Sequence, residues 1–241
     1  MTTTILWNAD FETGDLSQEA SLEVAYGGWV EISNAHSYSH PYSARAYAAD
    51  FDYAKYSNYP RARINPLWAP FVLDEIYIKA HFYIVRLDGY IQVLRAMASG
   101  SLAGETTYVA SMVLRSSQVE LQMGSSKGTI WQPIGTWNGV APFNFQLNRW
   151  YSFQLGFKKA TAENGGGGRI WIDGELIVDA LNLNTSLSPQ IDRALVGGVL
   201  CNNWFDLYVD DFIVATEPIV PITRNLSVTS NISVPFTLQR N

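Results

Sequence analysis

Three carboxylates open the chain: Asp10, Glu12 and Asp15 fall within NADFETGDLSQ, which begins at Asn8. Acids this close together are either solvated turn residues, with Asp15 capping a turn, or oxygen donors for a hard cation. A second acidic pair, Asp210–Asp211, stands near the other end, in LYVDDFIV. Acid–base groups gather elsewhere. His81 and Tyr83 alternate along EIYIKAHFYIVRL, with Arg61, Arg63, Gln92 and Arg95 nearby in sequence. A base, with arginine and an amide to neutralise a uronate, is what a polysaccharide lyase requires. His81, Tyr83 and Arg95 are therefore the residues of a catalytic reading. Against it, a lone strand histidine is more often held structurally by hydrogen bonds.

The paired carboxylates of a retaining glucanase must share one face of a strand. In LDEIYI, Asp74 and Glu75 are adjacent and fall on opposite faces; Asp206 and Asp210 share a face but lie in the closing strand. Neither is convincing. His36 and His40, four apart in HSYSH, have no helix and no acid beside them, so zinc chemistry has no support.

Sugar binding asks for exposed rings beside amides and carboxylates. The stretch from His36 to Trp68 is dense in tyrosine, and GTIWQPIGTWNGVAPFNF holds two tryptophans among glycines and prolines. Trp131, Trp137, Tyr53 and Tyr56 are the ligand-binding candidates. Trp150 and Trp171 sit in strong alternating runs and are expected in the core.

Those residues have to be positioned by strands. Apolar alternation runs through Glu75 to Leu87, then through YIQVLRAMA, TTYVASMVLR, QVELQMG, RWYSFQLGFKK, GRIWIDGELIVDA, ALVGGVLC and LYVDDFIVAT. In the first of these, Ile76, Ile78, Ala80, Phe82 and Ile84 share one face, and Tyr77, Lys79, His81 and Tyr83 the other. Asp173–Gly174 between two such runs predicts a tight hairpin turn. Gly165 to Gly168 reads as a flexible connection. No amphipathic helix longer than about two turns stands out. The expectation is an all-β, antiparallel two-sheet sandwich.

Bulk composition agrees. The chain has 241 residues, 47% of them hydrophobic, 16% charged and 13% aromatic. The formal net charge of −6 gives no footprint for a phosphate backbone, so nucleic acid is excluded as a partner. The single cysteine, Cys201, allows no intrachain disulfide and reads as a buried thiol. Apolar runs are of strand length, so no membrane insertion is expected. No signal peptide is visible at the start, through removal of a leader or because none is used. From Glu217 to Asn241, prolines punctuate Ser, Thr and Asn alternating with Val, Leu and Ile. The boundaries expected are a sandwich over 1–216 and an extended tail or added edge strand over 217–241, suited to self-association or particle docking.

The run from Asn148 to Ala180 resembles the late hairpin of the concanavalin A-like and laminin-G-like superfamily. It carries Trp150, Tyr151 and Phe153, then Ile170, Trp171, Ile172, Asp173 and Gly174. The ends, NADFETGDLS and LYVDDFIV, are similar to those of jelly-roll carbohydrate-binding modules. The resemblance covers about residues 5 to 216. It implies a jelly roll whose first and last strands lie close together, with a structural Ca²⁺ at Glu12, Asp210 and Asp211; Asp10 stands where Gly or Asp is usual. It also implies a glycan as partner. The strand motifs of the jelly-roll lyases are not matched by SARAY or YPRARI. The reading is a non-catalytic, lectin-like surface-attachment module, extracellular or on a virion as a capsid decoration, with a polysaccharide lyase or glucanase as the alternative.

Overall fold

The computed structural model describes residues 4–18, 21–39, 41–48, 60–65, 71–99, 106–124, 137–162, 165–186, 188–201 and 203–219. These form fifteen strands and no helix. In chain order they are β1 (Ile5–Ala9), β2 (Ser21–Ala25), β3 (Gly28–Ser33), β4 (Ser43–Ala48), β5 (Arg61–Asn65), β6 (Glu75–Leu87), β7 (Ile91–Ser99) and β8 (Thr106–Arg115). Then follow β9 (Gln118–Met123), β10 (Trp137–Pro142), β11 (Trp150–Lys158), β12 (Gly166–Ile172), β13 (Glu175–Leu183), β14 (Arg193–Cys201) and β15 (Phe205–Ala215). One sheet, here sheet A, runs β13-β12-β11-β6-β15-β4-β3, with β1 also on β15. Sheet B runs β10-β9-β8-β7-β14-β5-β2. All pairings are antiparallel, and the first strand lies against the last.

Strand periodicity builds the core between the sheets. On β6, Ile76, Ile78, Ala80, Phe82 and Ile84 are fully buried and face the core. Phe11, Tyr151, Phe153, Phe157, Phe205 and Phe212 join them from other elements. Each such side chain contributes about 1.5–3 kcal/mol on leaving water.

The same period corrects the reading of two tryptophans. Tyr151 and Phe153 on β11, and Ile170 and Ile172 on β12, take the core positions. Trp150 and Trp171 alternate with them, so both rings lie half-buried on the outer face of sheet A. Trp137, which lies among glycines and prolines in the sequence, begins β10 and pairs with Met123; its side chain lies outside the described residues.

The Asp173–Gly174 turn is as expected, with φ of 53° and 84° at its two central residues. The glycine run is not a flexible connection. Gly166, Gly167 and Gly168 are buried strand residues of β12. A Cβ on Gly166 would stand 1.9 Å from Thr185 Oγ1, and one on Gly167, at φ 145°, would stand 1.9 Å from the Ala180 carbonyl oxygen. Close approach of neighbouring strands demands glycine here.

Cys201 is buried, its Sγ 3.4 Å from the Pro60 carbonyl oxygen, and burial pushes the thiol well above its ordinary range. Beyond Thr216 the chain continues along sheet A as far as Ile219, whose N–H donates to Gln154 Oε1 at 3.1 Å. Residues 220–241 lie outside the described residues, and with them most of the tail.

Candidate functional site

The two sheets present two outer faces of different chemistry. On sheet A, register places His81 beside Ser152 of β11 and Asp210 of β15. Tyr83 is flanked by Trp150 and Tyr208. Beyond Asp210 the pairing slips: Asp210 is opposite His81, but Ile213 is opposite Lys79. One extra residue on β15 makes a bulge, and Asp211 there has φ 48°. The bulge aims the Asp211 carboxylate across the strand. Its Oδ2 lies 3.3 Å from His81 Nδ1, and its Oδ1 accepts from Ser39 Oγ at 3.0 Å.

The connection from β3 to β4 folds over this spot. Tyr38 stacks on His81 with centroids 3.6 Å apart, and His36 stacks on Tyr83 at 4.1 Å. Asp210 fastens it, accepting from the Tyr38 N–H at 2.8 Å and the Ser39 N–H at 3.3 Å on Oδ2, and from the Asp211 N–H at 2.8 Å on Oδ1. Burial pushes the Asp210 carboxyl up to about 6; the Tyr38 N–H pulls it back, and the charge of Asp211 adds to the rise. His81 is thus a buried side chain stacked beneath Tyr38.

Three arginines elsewhere on sheet A are each matched to an acid. Arg45 grips Asp206 through Nε and NH2 at 2.9 and 2.8 Å and reaches Glu31 at 3.1 Å. Arg149 meets Asp173 at 2.8 Å, and Arg169 meets Asp179 at 2.9 Å.

Sheet B differs. Arg61 and Arg63 on β5, Arg95 on β7, Arg115 on β8 and Arg193 on β14 alternate with core residues, and so lie on its outer face. Arg61 and Arg63 share one carboxylate, Glu23 of β2: Arg61 NH1 donates to Oε1 at 3.0 Å and Arg63 Nε to Oε2 at 2.9 Å. Burial works to raise the Glu23 carboxyl, and Arg63 and Arg61 outweigh it and hold it below its ordinary value. Burial pushes the Arg63 guanidinium down; Glu23 opposes this, while the charges of Arg61 and Arg193 add to it.

An amide network lies alongside. Arg115 Nε donates to Glu120 Oε2 at 3.2 Å, Gln122 Nε2 to Glu120 Oε1 at 3.0 Å, and Gln92 Nε2 to Gln122 Oε1 at 3.2 Å. The Tyr90 hydroxyl joins it, donating to Gln122 Oε1 at 3.2 Å and accepting from Gln92. Gln92, Arg95, Ser111 and Glu120 are all buried on this side, and among the described residues Ser111 Oγ has no hydrogen-bond partner.

The residues read from the sequence therefore separate. His81 and Tyr83 share the outer face of sheet A, whereas Arg95 lies on the outer face of sheet B, across the whole sandwich. The catalytic trio His81, Tyr83 and Arg95 is not assembled. Tyr53, Tyr56 and Trp131 lie outside the described residues, as does His40. Glu120, Gln122, Arg115, Arg193 and Glu23 were not singled out from sequence. The signal was present in QVELQM, where period two puts Glu120 and Gln122 on one face and Val119, Leu121 and Met123 on the other.

The acids at the seam of β1 and β15 can be tested as calcium donors. Ala9 pairs with Phe212, so Asp10 leaves β1 beside the Asp211 bulge. Asp10 Oδ1 accepts from the Glu12 N–H at 3.2 Å and from Gln18 Nε2 at 2.7 Å. Asp210 spends both oxygens on N–H donors. Among the described residues no group of three or more His, Cys, Asp or Glu side chains is arranged to hold a metal. A cation here would rest on Glu12, Asp211 and backbone carbonyls, and it stands as a proposal.

No family model matches the chain, and no curated protein does. Solved structures do. An endo-β-1,4-glucuronan lyase from the fungus Trichoderma reesei matches with TM-score 0.69 and 14% identity over 89% of this chain and 96% of that one. A marine alginate lyase from Aplysia kurodai matches with TM-score 0.56 and 13% identity over 89% and 100%. Domain 4 of an extracellular arabinanase from Geobacillus stearothermophilus, in complex with arabinotriose, matches with TM-score 0.56 and 11% identity over 90% and 94%. At these identities the likeness is one of fold. The chain is an all-β, two-sheet jelly-roll sandwich, a fold it has in common with these carbohydrate-active proteins. No helix among the described residues is long and apolar enough to cross a membrane.

Proposed function

We propose that this chain binds an acidic polysaccharide of the polyuronate class on the outer face of sheet B, as a non-catalytic attachment module acting outside the cell or on a particle surface. One observation carries the reading: Arg61 and Arg63 share the single carboxylate of Glu23 on this face, and the charges of Arg61 and Arg193 both act against the Arg63 guanidinium. A row of carboxylates would relieve that repulsion through charge-assisted, bidentate bonds. Gln92 and Gln122 supply amides for sugar hydroxyls on the same face. The structural neighbours named for glucuronan and alginate make polyuronates the ligands to try first.

Those same names favour a second reading, cleavage of the bound chain by β-elimination. It needs a proton acceptor facing the arginines. Tyr90, bonded to Gln92 and Gln122, is a phenol at that face; His81 is on the other sheet.

The test is calorimetric titration with glucuronan, alginate and a neutral β-glucan, beside an ultraviolet assay for unsaturated product. Binding of the acidic polymers that weakens with salt, without product, is the expected result. Equal binding of the neutral polymer would remove the proposal. Unsaturated product would replace the first reading by the second.

A further inference from the structure

A cavity of about 150 Å³ opens on the outer face of sheet A, far from the arginines of sheet B. Lys79 of β6, Ser152 and Gln154 of β11 and Trp171 of β12 line it, and Pro218 and Ile219 close one side. Its polar groups are donors. Gln154 is only 6% exposed, and its Oε1 is taken by the Ile219 N–H, which leaves the two hydrogens of Nε2. Ser152 gives its N–H to Asp173 and keeps its hydroxyl. Among the described residues, Lys79 Nζ and the Trp171 indole N–H have no hydrogen-bond or ion-pair partner. This contrasts with Arg45, Arg149 and Arg169 on the same face, each matched to an acid. Burial lowers the Lys79 ammonium from its ordinary value and the field of Asp211 opposes it. Asp173, beside the cavity, is occupied by Arg149 and the Ser152 N–H.

A half-buried ammonium, an amide NH₂, a hydroxyl and an indole N–H around one small hollow make an acceptor's site. The ligand must bring negative charge for Lys79 and a compact body for the Trp171 ring. We propose that this cavity is a second binding site, for a single uronate sugar, with its carboxylate on Lys79 and Gln154 and its ring against Trp171. The site does not rest on the polysaccharide reading of sheet B, since it uses none of the same residues.

The full-length chain is titrated with sodium glucuronate, glucose and sodium acetate, followed by calorimetry and by the indole N–H signals in NMR. Glucuronate should bind and shift one indole signal, which Trp171→Phe removes from the spectrum. Lys79→Met should weaken binding at least tenfold, and Arg45→Met, which breaks the Asp206 pair elsewhere on sheet A, should leave it unchanged. Trp171→Phe should also weaken binding, a second check if Lys79→Met does not fold. Undetectable glucuronate binding, equal binding of glucose, or wild-type affinity in Lys79→Met would overturn the proposal. Acetate binding as tightly as glucuronate would overturn the sugar assignment. Loss of glucuronate binding in Arg61→Met would overturn the site by moving the ligand to sheet B.

Discussion

The outer faces of sheets A and B are built by the same alternation and end in opposite states. On sheet A the arginines are matched to acids, and the rings of Tyr38, His81, His36 and Tyr83 close over one another. On sheet B, Arg61 and Arg63 share one glutamate, the charge of Arg193 acts against that of Arg63, and amides line the strands beside them. A paired charge stabilises its own fold and has little left for a partner. A crowded set of like charges costs stability, and an opposite polymer recovers that cost. The polyuronate reading proposed for sheet B rests on this difference.

The largest effect should separate core from face. Phe153, packed 5.1 Å from Phe82, is a core ring, whereas Trp171 is half-buried on the outer face of sheet A. Phe153→Ala should cost about 3–5 kcal/mol in urea unfolding. Trp171→Ala should cost clearly less. Equal losses would mean that the outer face of sheet A is itself a second core.

Next in size is the seam on sheet A. If Glu12 and Asp211 share Ca²⁺, chelation should lower the melting temperature, and added Ca²⁺ should restore it. The gain from the ion is about 2.7 kcal/mol at a hundredfold excess over Kd. Polymer binding on sheet B should be untouched. An unchanged melting curve after chelating a sample first shown to hold calcium would remove the cation.

A smaller effect compares arginines across the sandwich. Arg61→Met with Arg63→Met should weaken polyuronate binding at least tenfold, about 1.4 kcal/mol. Arg45→Met, which breaks the Asp206 pair on sheet A, should leave binding as it is. If Arg45→Met is the damaging change, the roles of the two faces are reversed.

The smallest effect concerns Asp210. Its folded pKa, raised to about 6 by burial, means that the folded state holds the proton where the unfolded chain has released it. Stability from this group is therefore greatest at low pH and falls as pH rises through about 6. Carbonyl NMR should find the midpoint near 6. The difference in melting temperature between wild type and Asp210→Asn should change over the same range. A midpoint below 4 would show that the Tyr38 and Ser39 N–H groups outweigh burial.

Much of the fold was legible because a strand states its own period. Glu75–Leu87 and Thr106–Arg115 are strands over the spans that their alternation marks, and Asp173–Gly174 turns as its residue types require. Composition and alternation alone fixed the all-β sandwich and the buried thiol of Cys201. Which face of a strand looks inward was harder. Trp150 and Trp171 are the bulkiest residues of their runs and were expected in the core, yet parity is decided by the whole sheet. Tyr151, Phe153, Ile170 and Ile172 together bury more than two indoles could. The glycines of β12 look the same in sequence whether they bend or pack; only the neighbouring Thr185 and Ala180 make them necessary.

The candidate sites were the least legible, because they are assembled across strands distant in the chain. Glu23 meets Arg61 and Arg63 because β2 lies against β5, and Arg193 joins them because β14 lies on the other side of β5. The Asp211 bulge puts a carboxylate beside His81, 130 positions away in the sequence. Residue type and period are local properties, so the sequence carries them openly. Which charges become neighbours depends on strand order and register, which the packing of the whole sandwich decides.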